Sequence, residues 1–436
     1  HIEKKLNRKK FFYVKKKITQ NQLNQVLLLG DKSIRLEKKI SRIYPQKNLF
    51  SHIIGQIDED NYGISGLEKT FDRNLKTDQI IKSQLELTLD SNLQHLVRKE
   101  LLNAQENFKA IGSAAILMNI NNGEILSLVS LPDFNLNKRK KIIDKKYLNK
   151  ITTGVYELGS VFKTFTIAAG LENNVISRDT MFVNLEKNLF CAGRKISEHD
   201  KLPKNLSAEQ ILIRSSNIGA IKIAQKVGIE KYKSFLNSLG LFETINFDIE
   251  EVGRPLNFKW GKCKLATASF GHGITTTPLQ LAKSYAILAN GGYEITPTVI
   301  KEKKRPQKKQ QKIISSKTSA VLNSILRKVV SEEEGTANFA NIKGYEIGGK
   351  TGTAYKSING VYNKDKKLNT FVSIFPASKP DYILLVILDE PKPAPDYTYE
   401  FPSGYQGNGY MRNTSGWNTV VVAGKIIEKI GPILAI

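Results

Sequence analysis

Of the serines in this chain only Ser160 is followed three residues later by a lysine, Lys163. Gly159 and Ser160 open an apolar run (Phe162, Phe165, Ile167, Ala168, Ala169) that reads as a buried helix, and i to i+3 spacing there sets hydroxyl and amine on one face. A serine hydroxyl is a poor nucleophile until a neighbouring base takes its proton, and a lysine is such a base when burial or nearby positive charge lowers its pKa. Ser215-Ser216-Asn217 falls between two helical patterns, and reads as a tight polar connection whose side chains suit relaying a proton and holding a substrate amide. Lys350-Thr351-Gly352-Thr353 contains the sole Lys-Thr-Gly of the chain and offers an amine and two hydroxyls to a carboxylate. The glycines just before it, Gly348 and Gly349, leave room for an extended ligand beside the backbone. In that order the three motifs describe an acyl-transfer site that works through a serine. A second S-x-N, Ser357-Ile358-Asn359, follows Lys-Thr-Gly in the wrong order and reads as a loop.

Pattern changes along the chain supply the elements that must position these groups. Residues 1–85 are lysine-rich with short strand-like pieces such as Ser51 to Ile57, and residues 86–436 read as globular. A helix is expected from Ser91 to Ala104, then a hairpin of Ala114 to Ile120 and Glu124 to Leu131 about an Asn122-Gly123 turn. The middle is mostly helical: Val161 to Glu172, Ala208 to Gln225, Glu230 to Leu239 and Pro278 to Asn290. Extended runs return at Tyr345 to Tyr355, Asn369 to Ile374 and Tyr382 to Leu388, and an apolar helix closes the chain from Thr419 to Ile430. Two early and three late strands with helices between them predict a five-stranded antiparallel sheet covered by helices, an α+β arrangement. Between the last strand and last helix, the Gly-, Pro- and Tyr-rich stretch 391–417 is either an active-site rim or a surface excursion.

Composition limits the partners. The 436 residues carry a net charge of +25 from 66 Lys and Arg against 41 Asp and Glu. That excess attracts anions in general, yet basic runs such as Lys301 to Lys312 have no interleaved aromatics and no nucleic-acid module is present, so a solvated linker is expected there and no nucleic-acid partner. Cys191 and Cys263 are the only cysteines, and neither has a partner at metal spacing, so no metal and no cofactor is expected. Whether the two thiols pair is open from sequence. No run of about 18 apolar residues exists that would cross a bilayer.

The three motifs travel with Arg42-Ile43-Tyr44-Pro45, Gly63-Ile64-Ser65-Gly66-Leu67-Glu68, Leu87-Thr88-Leu89-Asp90, Phe270-Gly271-His272-Gly273 and Gly416-Trp417-Asn418, in that order along the chain. By these residues the chain resembles the class B, monofunctional penicillin-binding proteins, and within them the FtsI-like cell-division transpeptidases, over residues 40–430. Leu158 stands where that family usually has proline.

The resemblance implies the penicillin-binding transpeptidase fold for residues 86–436, with 1–85 as part of a non-catalytic pedestal domain. It implies cross-linking of peptidoglycan stem peptides on glycan strands, with β-lactams as inhibitors. Ser160 would be the nucleophile, Lys163 the base, and Ser215 and Asn217 the relay and amide anchor. Lys350, Thr351, Gly352 and Thr353 would line the carboxylate subsite, with the backbone N–H groups of Ser160 and Thr353 as oxyanion donors. Lys350 is expected to lower the pKa of Lys163 by its charge. The implied location is the periplasmic face of the bacterial inner membrane, with the N-terminal membrane anchor absent from this chain. The implied partners are an FtsW-type membrane polymerase and other divisome proteins. An elongation-type transpeptidase, a β-lactam sensor and a β-lactamase are the alternatives within the superfamily.

Overall fold

The computed structural model describes residues 11–39, 41–76, 84–138, 144–191, 193–301, 311–358 and 360–436. Five strands form the central sheet: β1 (Gly112–Asn119), β2 (Ile125–Leu131), β3 (Gly348–Ile358), β4 (Val361–Phe375) and β5 (Tyr382–Asp389). Their order is β2-β1-β5-β4-β3, and every neighbouring pair is antiparallel. The expected α+β sheet is therefore present. The β1–β2 turn forms at Asn122-Gly123 because Gly123 adopts φ +78°, where a side chain is strained, and a Cβ there would come within 2.2 Å of Thr296 O. Strand β5 is apolar from Ile383 to Leu388 and lies at the sheet centre, so both of its faces need cover.

Among the described residues beyond 90, nine helices supply that cover and carry the motifs. They are α1 (Ser91–Phe108), α2 (Lys163–Glu172), α3 (Ala208–Ile213), α4 (Asn217–Val227), α5 (Ile229–Ser238), α6 (Lys262–Ala268), α7 (Pro278–Ala289), α8 (Ser316–Ser331) and α9 (Thr419–Leu434). One layer is α1 against α9 over β1, β2 and β5, tied by Lys429 Nζ to Glu100 Oε1 at 2.6 Å. The other layer is α7 and α8 with α2 buried among them. Asp90 starts α1 by accepting from the N–H groups of Asn92 and Leu93. The helix runs past the expected Ala104 to Phe108, which is buried against Tyr397.

One expected strand is corrected, one helix lies beyond the expected elements, and one open alternative is decided. Ser51 to Ile57 is not a strand: Ser51–Ile54 is a helical turn that buries Ser51 and Ile53, and only Ile57 makes a bridge, to Gly63. The paired isoleucines read as extended, but Gly55 at φ +79° ends a helical turn, and a Cβ there would strike Ser65 O at 1.9 Å. Helix α8 is not among the expected elements, although Ser315 caps it and Leu322, Ile325, Leu326 and Val329 bury one face at helical spacing. The stretch 391–417 is no surface excursion. Tyr399 is buried and donates its hydroxyl to Trp417 O at 3.0 Å, and its ring lies against those of Tyr397, Tyr410, Trp417 and Phe339.

The S-x-N copy Ser357-Ile358-Asn359, expected as a loop, is corrected in part: Ser357 and Ile358 end β3, paired with Tyr362 and Val361, while Asn359 is outside the described residues. Residues 302–310 of the basic run are outside them too. In the N-terminal region Arg42 grips Glu68 with Nε and Nη2 at 2.9 and 3.1 Å, and Tyr44 donates to the same carboxylate at 3.0 Å. Two sequence landmarks thus meet. Ile53 and Leu67 join the main core, whereas the helix Gln20–Leu28 buries nothing. Among the described residues no helix is long and apolar enough to cross a membrane.

The two cysteines are bonded, with Cα atoms 5.6 Å apart. The bond ties a small hairpin (Asn188–Cys191 paired with Arg194–Ser197) to α6.

Candidate active site

Ser160 stands in a single 3₁₀ turn, Gly159–Phe162, that runs directly into α2, whose first residue is Lys163. The turn is pinned from below by Tyr285, whose hydroxyl meets Val161 O at 2.6 Å and Thr164 Oγ1 at 2.8 Å. It also presses on β3. A Cβ at Gly159 would lie 2.7 Å from Thr353 O, and one at Gly352 would lie 2.3 Å from Leu158 O. These two glycines are therefore what lets the Ser160 turn and the Lys-Thr-Gly strand touch, which sets the backbone of Ser160 beside that of Thr353.

Gly348 and Gly349 do not open space for a ligand, contrary to the sequence expectation. A Cβ at Gly348 would meet Arg327 N at 3.0 Å, and one at Gly349 would meet Val372 O at 2.5 Å. Both glycines face packed protein, because the strand is covered on that stretch by α8 and by the Phe371 ring.

Ser215 joins α3 to α4 with φ +59°, a left-handed conformation that costs a non-glycine residue on the order of 1 kcal/mol. Its carbonyl accepts from Lys163 Nζ at 2.5 Å. Its hydroxyl accepts from Lys163 Nζ at 3.0 Å and from Lys350 Nζ at 2.9 Å. Three motifs separated by 52 and 135 residues thus converge on one oxygen. Both lysines are fully buried. Burial pushes Lys163 down to about 7, opposed by the nearby charges of Glu198 and Asp200. Lys350 is also held well below the usual lysine range, by burial and then by the charge of Lys163. The expectation that Lys350 charge is what lowers Lys163 is corrected: desolvation is the main cause, and the charge effect is seen on Lys350.

Acceptor counts distinguish the two amines. Lys350 Nζ has three acceptors, Ser215 Oγ, Thr351 O and Thr351 Oγ1, which suits an ammonium. Lys163 Nζ has two, both on Ser215, which suits a free amine with a lone pair left over. The Ser160 hydroxyl is partly exposed and makes no hydrogen bond with a described residue.

The remaining predicted residues fall around this pair. Asn217 is the first residue of α4; its Nδ2 donates to Ser197 O at 2.9 Å, and its Oδ1 has no hydrogen-bond partner among the described residues. Thr351 Oγ1 shares a hydrogen bond with Thr336 Oγ1 at 2.9 Å, and Thr353 Oγ1 accepts from Ser415 N at 3.0 Å. Ser415 belongs to the aromatic stretch after β5, so that stretch does reach the site.

Sequence reasoning missed two contributors, Glu198 and Tyr362, and left a third, His272, without a place in the site. Glu198 follows the disulfide hairpin and binds the Ser215-Ser216-Asn217 connection through Ser216 Oγ, Asn217 N and Ile218 N. Tyr362, near the tip of the β3–β4 hairpin, donates to Glu157 at 2.9 Å just ahead of the nucleophile turn. His272 stacks edge-on to Tyr362 at 5.9 Å. Neither Glu198 nor Tyr362 has a local sequence signal, since each reaches the site across at least 18 residues of chain, whereas His272 lies in the Phe270-Gly271-His272-Gly273 landmark. Among the described residues no group of three His, Cys, Asp or Glu could hold a metal ion.

Residues 113–404 match the family model of the penicillin-binding protein transpeptidase domain. The chain is similar to the probable peptidoglycan D,D-transpeptidase FtsI of Caulobacter vibrioides, at 31% identity over 96% of this chain and 70% of that protein. It is similar also to the peptidoglycan D,D-transpeptidase FtsI of Buchnera aphidicola, at 32% identity over 88% of this chain and 71% of that one. In structure it resembles the transpeptidase domain of penicillin-binding protein 3 from Burkholderia pseudomallei, with a TM-score of 0.68, 26% identity, and coverage of 80% of this chain and 97% of that domain. Penicillin-binding protein 3 of Mycobacterium tuberculosis, solved with aztreonam, shares the fold at a TM-score of 0.77 and 22% identity, over 91% of each chain.

Proposed function

The chain belongs to the penicillin-binding protein transpeptidase family, and from that premise we propose that it is an FtsI-like, class B peptidoglycan D,D-transpeptidase that cross-links stem peptides through an acyl-enzyme on Ser160. The observation that carries the assignment of roles is the convergence of Lys163 and Lys350 on Ser215 Oγ, at 3.0 and 2.9 Å, beside the turn that holds Ser160.

In this reading the donor stem peptide lies along β3, its terminal carboxylate against Lys350, Thr351 and Thr353, and its amide against the unpartnered Oδ1 of Asn217. The arriving carboxylate favours the proton on Lys350 and so keeps Lys163 as the free base. Ser160 Oγ attacks the carbonyl between the two terminal D-alanines while its proton passes to the lone pair of Lys163. The negative charge that develops on the carbonyl oxygen is met by the N–H groups of Ser160 and Thr353; one such donor is worth about 2.7–4 kcal/mol. Collapse of the tetrahedral species breaks the C–N bond, and the leaving amine of D-alanine takes the proton from Lys163 by way of the Ser215 hydroxyl. The amine of an acceptor stem peptide then attacks the ester, loses its proton along the same path, and releases Ser160 as the cross-link forms. β-Lactams enter the same sequence and stop at the acyl-enzyme.

The homology to FtsI proteins favours septal synthesis at the periplasmic face of the inner membrane, beside an FtsW-type polymerase and other divisome proteins. Residues 1–85 would be part of the pedestal on which the catalytic domain, 86–436, stands.

The test is labelling with a fluorescent penicillin and mapping of the modified peptide. A one-to-one adduct on Ser160, absent from Ser160→Ala, is expected; labelling that survives in this variant overturns the assignment.

A further inference from the structure

Glu198 has no role in the reading above, yet its carboxylate is the most heavily engaged acid near the site. Oε1 accepts from Ser216 Oγ at 2.7 Å and from Ile218 N at 2.9 Å, and Oε2 accepts from Asn217 N at 2.7 Å. Two of these donors are free N–H groups of the first turn of α4, where a negative charge is favoured, and the third is the side chain that caps that turn by accepting from Gly219 N. One residue earlier, Ser197 O accepts from Asn217 Nδ2 at 2.9 Å. The segment Ser197-Glu198 thus grips each residue that follows Ser215.

What holds Glu198 in turn is unusual for this molecule. Its hairpin is outside the five-stranded sheet. The hairpin's apolar side, Leu189 and Ile196, packs on a small cluster of Ile218, Ile221, Ala266 and Phe270 that is separate from the main core. A cluster of four buried side chains provides little anchorage, and the covalent anchor is Cys191–Cys263, which fastens the hairpin to α6. The structure assigns to Glu198 a positioning role: clamped by the Cys191–Cys263 bond, it holds Ser215 in its left-handed conformation between the two catalytic lysines and orients Asn217. This inference rests on the acyl-transfer reading of the site and goes beyond it by naming what keeps the relay in place.

Glu198 also acts through space. Lys163 is faced by Glu198 and Asp200 from the segment after the hairpin, by Lys350 from β3, and by His199 and His272. The charge of Glu198 favours the protonated form of Lys163. Neutralising it moves the protonation midpoint of Lys163 to lower pH, which a loss of rigidity alone would not do.

The experiment measures the rate of penicillin acylation against pH for the wild type, Glu198→Gln and Glu198→Asp. For Glu198→Gln the plateau rate is expected to fall about 10- to 100-fold, the range set by losing charge-assisted bonds to one buried turn, and the rising limb is expected to shift to lower pH. Glu198→Asp, which keeps the charge on a shorter arm, should keep the wild-type limb with a reduced plateau. Reduction of the folded protein with a phosphine, or the pair Cys191→Ser with Cys263→Ser, should lower the plateau toward that of Glu198→Gln, and reduction should do nothing further to the serine pair. A wild-type plateau and limb in Glu198→Gln overturns the positioning role, and a full-rate reduced enzyme overturns the part given to the disulfide. Failure of the wild type to label at Ser160 would instead overturn the reading on which the inference stands.

Discussion

The pH dependence of acylation tests the catalytic pair most directly. Lys163 is shifted by burial from 10.5 to about 7. At about 1.4 kcal/mol per unit, that shift represents roughly 5 kcal/mol of disfavoured charge. At pH 7.5 about three-quarters of such an amine is free base, against roughly one part in a thousand for an unperturbed lysine, a gain of several hundredfold in competent enzyme. The acylation rate should therefore rise about tenfold per pH unit at acid pH, bend near 7 and stay level to 9. Stopped-flow acylation by a chromogenic β-lactam with no ionisation in that range reads this directly. A limb centred near 10 would mean that the amine is not desolvated as the structure has it, and a flat profile would mean that no titrating base is used. The same shift has a signature in stability. The folded value lies below the unfolded one, so between about pH 7 and 10.5 the unfolded chain holds more protons, and unfolding free energy rises with pH across that window. Lys163→Met should flatten that slope in denaturant titrations. A slope unchanged by the substitution would show that Lys163 keeps its ordinary pKa in the folded protein.

Other substitutions address the remaining parts. Lys163→Arg keeps the charge but cannot release a proton, so acylation should collapse by orders of magnitude while the protein stays folded; near-normal acylation would refute the base. Lys350→Ala should slow carboxylate-bearing penicillins far more than an uncharged acylating probe, and equal losses for the two would place Lys350 in the chemistry alone. Gly352→Ala puts a methyl 2.3 Å from Leu158 O, and the forced separation of β3 from the nucleophile turn should cost about 1–3 kcal/mol in stability and most of the acylation rate. Wild-type acylation in that variant would show that the two elements need not touch. Reducing Cys191–Cys263, which spans 72 residues, should lower global stability by at most about 4 kcal/mol in the chain-entropy model, measured as a shift in the urea midpoint.

The parts of the site legible in the sequence were those encoded locally. Ser160 and Lys163 are three residues apart, and Asn122-Gly123 announces its hairpin, so the placement of this pair on one turn and the β1–β2 pairing could be read from short windows. Strand β5 and helix α9 were legible because their apolar runs have no competing reading. What failed was information held by contacts between distant segments. The purpose of Gly348 and Gly349 depends on α8 and Phe371, which pack on them from other parts of the chain. Whether 391–417 packs or wanders depends on Phe339, an aromatic more than fifty residues upstream of it. Ser215 looks like any polar turn residue until its positive φ is seen, and that conformation makes sense only with Glu198, Lys163 and Lys350 around it.

The disposition of acids near the nucleophile bears on whether the acyl-enzyme meets water or an amine. A β-lactamase needs a carboxylate free to activate a deacylating water. Glu198 is close enough to influence Lys163, but its two oxygens already accept three hydrogen bonds from the head of α4, and activating a water would mean releasing the turn that holds Ser215. Glu157 precedes the nucleophile by three residues, but both of its oxygens accept from the Tyr362 hydroxyl, and burial raises its pKa, which weakens it as an ionised base. Glu198 and Glu157 are thus spent on architecture, and the third acid that faces Lys163, Asp200, lies exposed on the segment after the hairpin. A penicilloyl ester on Ser160 is thereby left without Glu198 or Glu157 as a base for hydrolysis, so it should persist for minutes to hours by intact-mass spectrometry, and several turnovers of penicillin per minute would show that a carboxylate near the site activates water after all.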